Sequence, residues 1–530
     1  MTGTGLALRP VRAGRLLRAH VGVELASAAL ALGAICVLLA RQFRAPGSEM
    51  DEGAVLAYSG RVLHGAVPWR DFQTFYGPGN LWLVGGVSKV FGLGVDMERS
   101  VGLGYRLAVV LALYTLARRI GPLAGVGALA VCAFLVPGQG LAALALWGSL
   151  AFALAGLAVL VAAAARRPGR ARSLLLAAAG ALSACALLVR FDFVLVVALP
   201  SAVLLPLFSW RERGRALVAF AVVLAAYAPQ LWLVGPGGLD RLVRQLRATE
   251  PGRRLPFPAA HAYPGVIFTP AVVVTVVLVV TGAVLLRAQR SSLEARVLLA
   301  TGVFSAALLP TTLSRLDGPH VVPFGVVPLA LLPALVTTLV QHLRASRDRG
   351  VTVPLVATVC ALGSCAAAVA IVLGAPGAAR AVVTPQPLAS YRVALGDRWF
   401  PVGDRSEAQA AQAVVAAADR LARPGQSLFV GPADLRRTNY NDTYVYYLLP
   451  QLRPASFYME MNPQTANRSG SGLASQVMSA DWLILDRLYD RWRERNSSSK
   501  LGSVVPNLVV RRHFCVVAAS GGDTLLRRCR

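Results

Sequence analysis

The chain has 530 residues, 55% of them hydrophobic and 15% charged, with a mean hydropathy of +0.57. A soluble domain carries about 25% charged residues, so this composition excludes an ordinary cytosolic enzyme, and its apolar content excludes disorder. A net charge of +27 and an isoelectric point near 11.1 would point to nucleic acid if the basic residues formed one patch.

A bilayer-spanning helix needs about 20 apolar residues. Such runs fall near 20–40, 100–117, 121–137, 143–165, 173–189, 193–209, 217–234, 265–286, 297–311, 321–340 and 351–374, which predicts eleven spans. The first run lacks a small-residue cleavage site and ten more follow, so it reads as a span and not as a signal peptide. Alternate connections carry Arg9/Arg12/Arg15/Arg18, Arg118/Arg119, Arg166/Arg167/Arg170/Arg172, Arg211/Arg213/Arg215, Arg287/Arg290/Arg296 and Arg344/Arg347/Arg349. Those 19 arginines face only Glu212, Glu294 and Asp348. The positive-inside rule therefore predicts a cytoplasmic N-terminus and, after eleven spans, an extracytoplasmic C-terminus. The opposite connections hold nearly all the acids of this part: Glu49, Asp51, Glu52, Asp71, Asp96, Glu98, Asp192, Asp240, Glu250 and Asp317. The positive charge is thus a topology signal without a basic stripe. The lipid bilayer is the expected partner and nucleic acid is not. The basic residues are arginines apart from Lys89 and Lys500, and with the Ala, Leu, Val and Gly excess this is the signature of a GC-rich bacterial genome.

The first outer connection, 42–99, is the longest of the membrane part, 1–374. Asp51-Glu52 follows directly on the first span and places two carboxylates at the membrane surface. Apolar positions 55, 56, 58, 62 and 63 fit a short amphipathic helix lying in the interface. Pro68, Trp69, Tyr76 and Trp82 supply a turn and interfacial anchors, and a second short helix is expected over 79–91. An acceptor hydroxyl is a poor nucleophile at neutral pH, and a positioned carboxylate can take its proton as it attacks. The plainer alternative is a solvated pair that caps the helix.

Further along the same face, Arg190-Phe191-Asp192 is a polar break between two apolar runs. Charges at a membrane edge are functional candidates, although a simple ion pair closing a tight loop fits equally well. Arg315, Asp317 and His320 precede the tenth span. They offer cationic partners for a phosphate, or a capping aspartate beside an interfacial histidine. Arg241, Arg244, Arg247, Arg253 and Arg254 read as lipid-headgroup contacts.

Composition changes near residue 375. Residues 375–400 read as a linker and 401–530 as a small α/β domain. Residues 406–422 form an amphipathic helix closed by Pro424-Gly425, Ser427–Val430 and Trp482–Leu485 are short apolar strands, and Thr443–Leu449 is helical. Leu508–Ala518 and Thr524–Arg528 flank Gly521-Gly522 in the pattern of a β-hairpin. Cys515 and Cys529 lie on its two arms, where a disulfide and two unpaired thiols both remain open. The other five cysteines sit in apolar runs as small hydrophobes, and no Cys/His spacing resembles a metal site. Two polar stretches, 431–443 and 458–463, suit either acceptor recognition or docking onto the membrane part.

The order of motifs in the first loop carries a resemblance. It runs Asp51-Glu52-Gly53, Arg61-Val62-Leu63-His64-Gly65, Val67-Pro68-Trp69-Arg70-Asp71-Phe72, Tyr76-Gly77-Pro78-Gly79 and Phe91-Gly92. These roughly 45 residues resemble the first extracytoplasmic loop of GT-C class membrane glycosyltransferases. That class includes the protein O-mannosyltransferases and aminoarabinose transferases grouped as glycosyltransferase family 39. The tail resembles those of actinobacterial membrane proteins of similar build.

The resemblance implies a polytopic α-helical membrane protein of GT-C type with a C-terminal extracytoplasmic α/β domain, in the cytoplasmic membrane. It implies a sugar donor carried on a polyprenyl phosphate and an acceptor that is a cell-envelope glycan, lipid or protein. Asp51 would act as base with Glu52 as its helper. Arg61, Arg70, Asp71, Tyr76, Arg190, Asp192, Arg315, Asp317 and His320 would hold donor phosphate or substrate, the Arg-x-Asp-x-x-His spacing recurring in such relatives. No cofactor is implied, and a divalent cation has no evident ligand cluster beyond Asp51-Glu52. Two alternatives compete. A secondary transporter would show paired repeats and broken spans, which are not visible here. A non-catalytic envelope scaffold would keep the same fold.

Overall fold

The computed structural model describes residues 10–260, 263–348, 390–437, 441–462, 465–490 and 502–529. Its membrane part is helical: α1 (Pro10–Arg41), α2 (Asp51–Leu63), α3 (Gly79–Phe91), α4 (Val95–Arg118), α5 (Pro122–Leu135), α6 (Ala145–Ala164), α7 (Arg170–Val189), α8 (Val194–Leu204), α9 (Trp210–Leu224), α10 (Tyr227–Arg253), α11 (Gly265–Ala288), α12 (Leu293–Leu313) and α13 (Gly318–Asp348).

Eight of these, α1, α4–α7 and α11–α13, are long and apolar enough to cross a membrane. They answer to eight of the eleven expected runs. The run at 217–234 falls within α9 and α10, which meet at a 50° bend, and the run at 193–209 is a short apolar helix. The run at 351–374 lies outside the described residues.

Helix α6 occupies the centre. Its Trp147, Leu150, Leu154 and Val161 are buried against α4 and α7. An apolar residue on a span gains little by leaving lipid for protein, so close packing and polar contacts have to select this arrangement. Accordingly Ser149 Oγ donates to the Ala186 carbonyl of α7 at 2.9 Å. At two arginine-bearing connections the charges pair locally, Arg118 with Glu24 at 2.5 Å and Arg172 with Glu212 at 2.9 Å.

The C-terminal domain begins earlier than composition indicates. Residues read as linker form the strands β1 (Tyr391–Leu395) and β2 (Arg398–Val402), an antiparallel hairpin turning at Gly396. Its inward residues Val393 and Phe400 are buried. Then come α14 (Arg405–Leu421), β3 (Ser427–Pro432), α15 (Tyr444–Leu448), β4 (Arg453–Pro454), α16 (Leu473–Ser479), β5 (Trp482–Asp486), α17 (Val505–His513), β6 (Phe514–Ser520) and β7 (Asp523–Arg528). The sheet order is β4-β3-β5-β7-β6, with β3 parallel to β4 and β5, and β7 antiparallel to β5 and β6. Asp404 caps α14 by accepting from the Ser406 and Glu407 amides.

The expected hairpin is present, but its first arm starts at Phe514. Residues 508–513 complete α17, which Pro506 opens in its first turn. Cys515 and Cys529 form a disulfide, with Cα atoms 5.2 Å apart. The bond runs diagonally, because Cys515 pairs with Arg527 in the ladder and a bulge interrupts the pairing between Val516 and Ala518.

This domain is seated on α2. Tyr444, Val445 and Leu448 share one buried cluster with Ala54, Leu56, Ala57 and Tyr58. Phe400 stacks on Tyr444 with ring centroids 4.4 Å apart. A Cβ at Gly53 would stand 2.4 Å from the Tyr444 nitrogen, so only glycine admits this approach. The Gln73 amide donates to the Phe457 carbonyl at 2.8 Å. In the polar stretches of this domain Asn441 and Tyr458 donate to carbonyls of the domain itself, Met459 and Ser471, while Met459 lies in the buried cluster shared with Leu56 and Tyr58 of α2.

Candidate active site

Asp51 is the first residue of α2. Its amide is held by the Ser48 hydroxyl, which accepts at 3.2 Å. Its carboxylate is half-buried and within electrostatic reach of Arg315, His320 and Asp317. Burial pushes this carboxyl above the ordinary aspartate range, Arg315 and His320 pull it back, and Asp317 opposes them. A half-buried carboxylate with a raised pKa is a stronger base when ionised.

The turn between α12 and α13 is organised by Asp317. One oxygen accepts from Arg315 Nε at 2.5 Å, and the other pairs with His320 Nδ1 at 2.6 Å and accepts the His320 amide at 3.2 Å. In the Nδ1–H tautomer the ring donates to Asp317. These partners hold the Asp317 carboxyl low, at about 2. The turn therefore presents a cationic arginine and a fixed imidazole toward a carboxylate more than 260 residues away in sequence.

A second group lies at the end of α7. Arg190 makes a two-point pair with Asp192, at 2.6 and 3.0 Å. Its guanidinium carbon lies 4.8 Å from the Tyr76 ring centre, and among the described residues its buried Nη1 has no hydrogen-bond partner. Thr311 of α12 reaches Asp192 at 3.4 Å, which links this group to the helix leading to Arg315. The loop Tyr76–Gly79 is pressed onto α7. A Cβ at Gly77 would stand 2.1 Å from the Leu188 carbonyl oxygen, which explains the glycine there. Arg190 thus closes its loop through Asp192 and still keeps one buried N–H without a partner among the described residues.

The remaining loop residues lie apart from this centre. Arg70 and Asp71 pair with each other at 2.8 Å, and Asp71 also accepts the Val67 amide at 2.7 Å, which fixes the turn. Arg70 holds the Asp71 carboxyl below its usual range. Arg61 lies over the Phe72 ring at 5.8 Å, and burial pulls its guanidinium down while Asp71 and Tyr446 hold it up.

Glu52 does not stand beside Asp51 as a helper. Consecutive helical residues diverge by about 100°, and Glu52 turns inward. Both its oxygens accept from Arg99, Oε1 from Nε at 2.6 Å and Oε2 from Nη2 at 2.9 Å, and each side chain is 2% exposed. Arg99 Nη1 also donates to the carbonyls of Phe43 at 2.8 Å and Ala45 at 2.9 Å. Glu52 therefore positions α2. Sequence reasoning passed over Arg99 and the buried Arg106, whose guanidinium lies 4.6 Å from the Trp147 ring and donates to the Ala142 carbonyl at 2.9 Å. The available signal was an arginine inside an apolar run, a costly placement that demands a partner.

The fold is that of the GT-C class of membrane glycosyltransferases. The chain superposes on ArnT from Cupriavidus metallidurans in the apo state with a TM-score of 0.50 and 15% identity, covering 96% of this chain and 98% of that one. ArnT from the same organism bound to undecaprenyl phosphate gives 0.48 at 15% identity, covering 95% and 98%. The archaeal oligosaccharyltransferase AglB from Archaeoglobus fulgidus, in complex with an inhibitory peptide and a dolichol-phosphate, gives 0.48 at 10% identity, covering 92% and 72%. The likeness is one of fold. No protein-family profile and no curated protein sequence matches the chain. Among the described residues no three His, Cys, Asp or Glu side chains could jointly hold a metal ion.

Proposed function

We propose that the protein is an integral membrane glycosyltransferase that moves a sugar from a polyprenyl-phosphate donor to a cell-envelope acceptor. Transfer takes place at the extracytoplasmic face of the cytoplasmic membrane, with the N-terminus inside and the C-terminal domain outside. Asp51 takes the proton of the acceptor hydroxyl as that oxygen attacks the anomeric carbon. The donor phosphate leaves against Arg315, with His320 held in register by Asp317. Arg190 offers a second cation, its unpartnered Nη1 buried near Tyr76.

The observation that supports this reading is a half-buried Asp51 carboxylate within electrostatic reach of the Arg315–Asp317–His320 turn, the pairing that a base beside cations for a phosphate would need. The first-loop motifs support the same reading by resemblance, and a transporter or a scaffold requires no such convergence. The test uses purified full-length protein in lipid nanodiscs, a panel of radiolabelled polyprenyl-phosphate sugars and an envelope extract. Transfer of at least one sugar is expected, with Asp51→Asn lowering kcat by about 10²–10⁴-fold. An Asp51→Asn protein that keeps full activity would overturn the mechanism, and wild-type protein that neither binds nor uses any such donor would overturn the function.

A further inference from the structure

Beside the candidate active site, between the loop before α2 and the C-terminal domain, lies a cavity of about 530 Å³. It is lined by Glu49, Glu407, Asp442, Asp490 and Asp523, with Asp486 buried close to Asp442 and Asp523. The chain has only 26 acids against 53 basic residues, so five on one cavity wall with a sixth buried behind them depart sharply from its overall balance. None of the six makes an ion pair with a described cation, and the lining cation, Arg487, is solvent-exposed.

The sharpest feature is Asp442. The residue is 5% exposed and lines the cavity, and among the described residues its Oδ1 has no hydrogen-bond partner. A buried carboxylate oxygen without a partner is costly and calls for a compensating ligand. Its neighbours sharpen the demand, since Asp486, Asp523, Glu49 and Glu407 all act on it with like charge.

Size and geometry decide what the ligand is. The cavity is many times the roughly 30 Å³ share of one water, so it holds a group of monosaccharide or amino-acid size. Among the described residues no three of its acids are arranged to bind a metal ion. Val402, Ala410, Tyr444 and Leu488 add apolar wall between the carboxylates. That combination suits an organic cation. The cavity also adjoins the proposed base, because Glu49 and Asp51 are two residues apart and their Cα atoms stand within about 7 Å.

We propose that this cavity is a binding site for a ligand bearing an ammonium or guanidinium group, and that the ligand is the basic portion of the acceptor. The second half of that statement rests on the transferase reading; the first does not.

The test measures binding to full-length protein in nanodiscs, with glucosamine and argininamide as cationic probes and glucose as the neutral match. The cationic probes are expected to bind about tenfold or more tightly than glucose, since a charge-assisted hydrogen bond is the added interaction. Asp442→Asn with Asp523→Asn should remove that preference. The double variant relieves like-charge repulsion, so it is expected to fold, and Glu407→Gln at the rim gives a milder second loss. Equal binding of glucosamine and glucose overturns the site, as does a preference that survives the double variant. Displacement of the probes by micromolar Ca²⁺ or Mg²⁺ overturns the choice of an organic cation. Asp51→Asn separates the two readings, because it should abolish transfer and leave probe binding intact. Cation binding without any transferase activity would sustain the site and remove its assignment to an acceptor. In an active enzyme, failure of argininamide to compete with the acceptor would remove that assignment too.

Discussion

Replacing Arg99 by Met leaves the Glu52 carboxylate buried and alone, and it frees the Phe43 and Ala45 carbonyls that Arg99 Nη1 engages. Both side chains of the pair are 2% exposed, so water does not screen the loss. Breaking a buried ion pair by removing one partner costs about 3–5 kcal/mol. The same reasoning makes the double variant, Glu52→Met with Arg99→Met, milder than Arg99→Met alone, because the Glu52 carboxylate is not left without its arginine. It should regain about 2 kcal/mol, the rest being the stranded carbonyls. Reversible unfolding in mixed detergent micelles measures all the corners of the cycle. A single-variant cost under about 1 kcal/mol, or a double variant whose cost equals the sum of the singles, would refute the reasoning. The activity of Arg99→Met should fall mainly in kcat, since the pair fixes the turn from which Asp51 projects.

Four further outcomes are expected. The acid limb of the rate profile should lie above the ordinary aspartate value, because Asp51 must be ionised to act and burial raises its pKa; rates fall as pH drops through that limb. A limb near the ordinary aspartate value of 3.8 would contradict this. Asp317→Asn removes the anchor of Arg315 and His320, so donor KM should rise about tenfold or more while thermal stability changes little. Asp523 is raised from 3.8 to about 7 in the fold, so its favourable contribution is complete below about pH 4 and is lost as pH rises through 7. The loss is about 4 kcal/mol at most, and Asp523→Asn should narrow the gap in Tm between pH 5 and pH 8. Cys515→Ser opens a cross-link spanning 14 residues and should cost about 3 kcal/mol, read from unfolding with and without reductant.

The spans were legible because an apolar run of membrane length has few other uses, and arginine placement supplied their expected direction. The turn at Arg315, Asp317 and His320 was legible because its members lie within six residues of one another. Other features depend on contacts that no local pattern encodes. Glu52 and Arg99 are 47 positions apart, and the dipeptide with Asp51 concealed that helix geometry sends the two carboxylates in different directions. The β1–β2 hairpin was missed because it buries little more than Val393, Phe400 and Val402, too short an alternation beside an apolar segment. The acidic cavity draws on positions from 49 to 523, and each of its acids taken singly reads as an ordinary surface charge.

One short stretch joins these features. Glu49, Asp51 and Glu52 fall within four residues at the start of α2, and each points to a different neighbourhood. Glu49 faces the acidic cavity and accepts from the Tyr489 hydroxyl at 3.1 Å, Asp51 faces Arg315 and His320, and Glu52 is locked to Arg99. Carboxylates at a helix N-terminus gain from its dipole, which permits the cluster, while the helical turn separates its members by direction. The domain above is registered to the same turn, since the Tyr444 amide donates to the Glu49 carbonyl at 3.3 Å and Gly53 admits the Tyr444 backbone. The acidic cavity, the proposed base and the buried Glu52–Arg99 anchor thus share one rigid reference. A residue inserted between Asp51 and Glu52 would rotate Glu49 and Asp51 about 100° relative to Arg99, disturbing cation binding and transfer together. An insertion after Leu63, beyond the helix, should disturb neither.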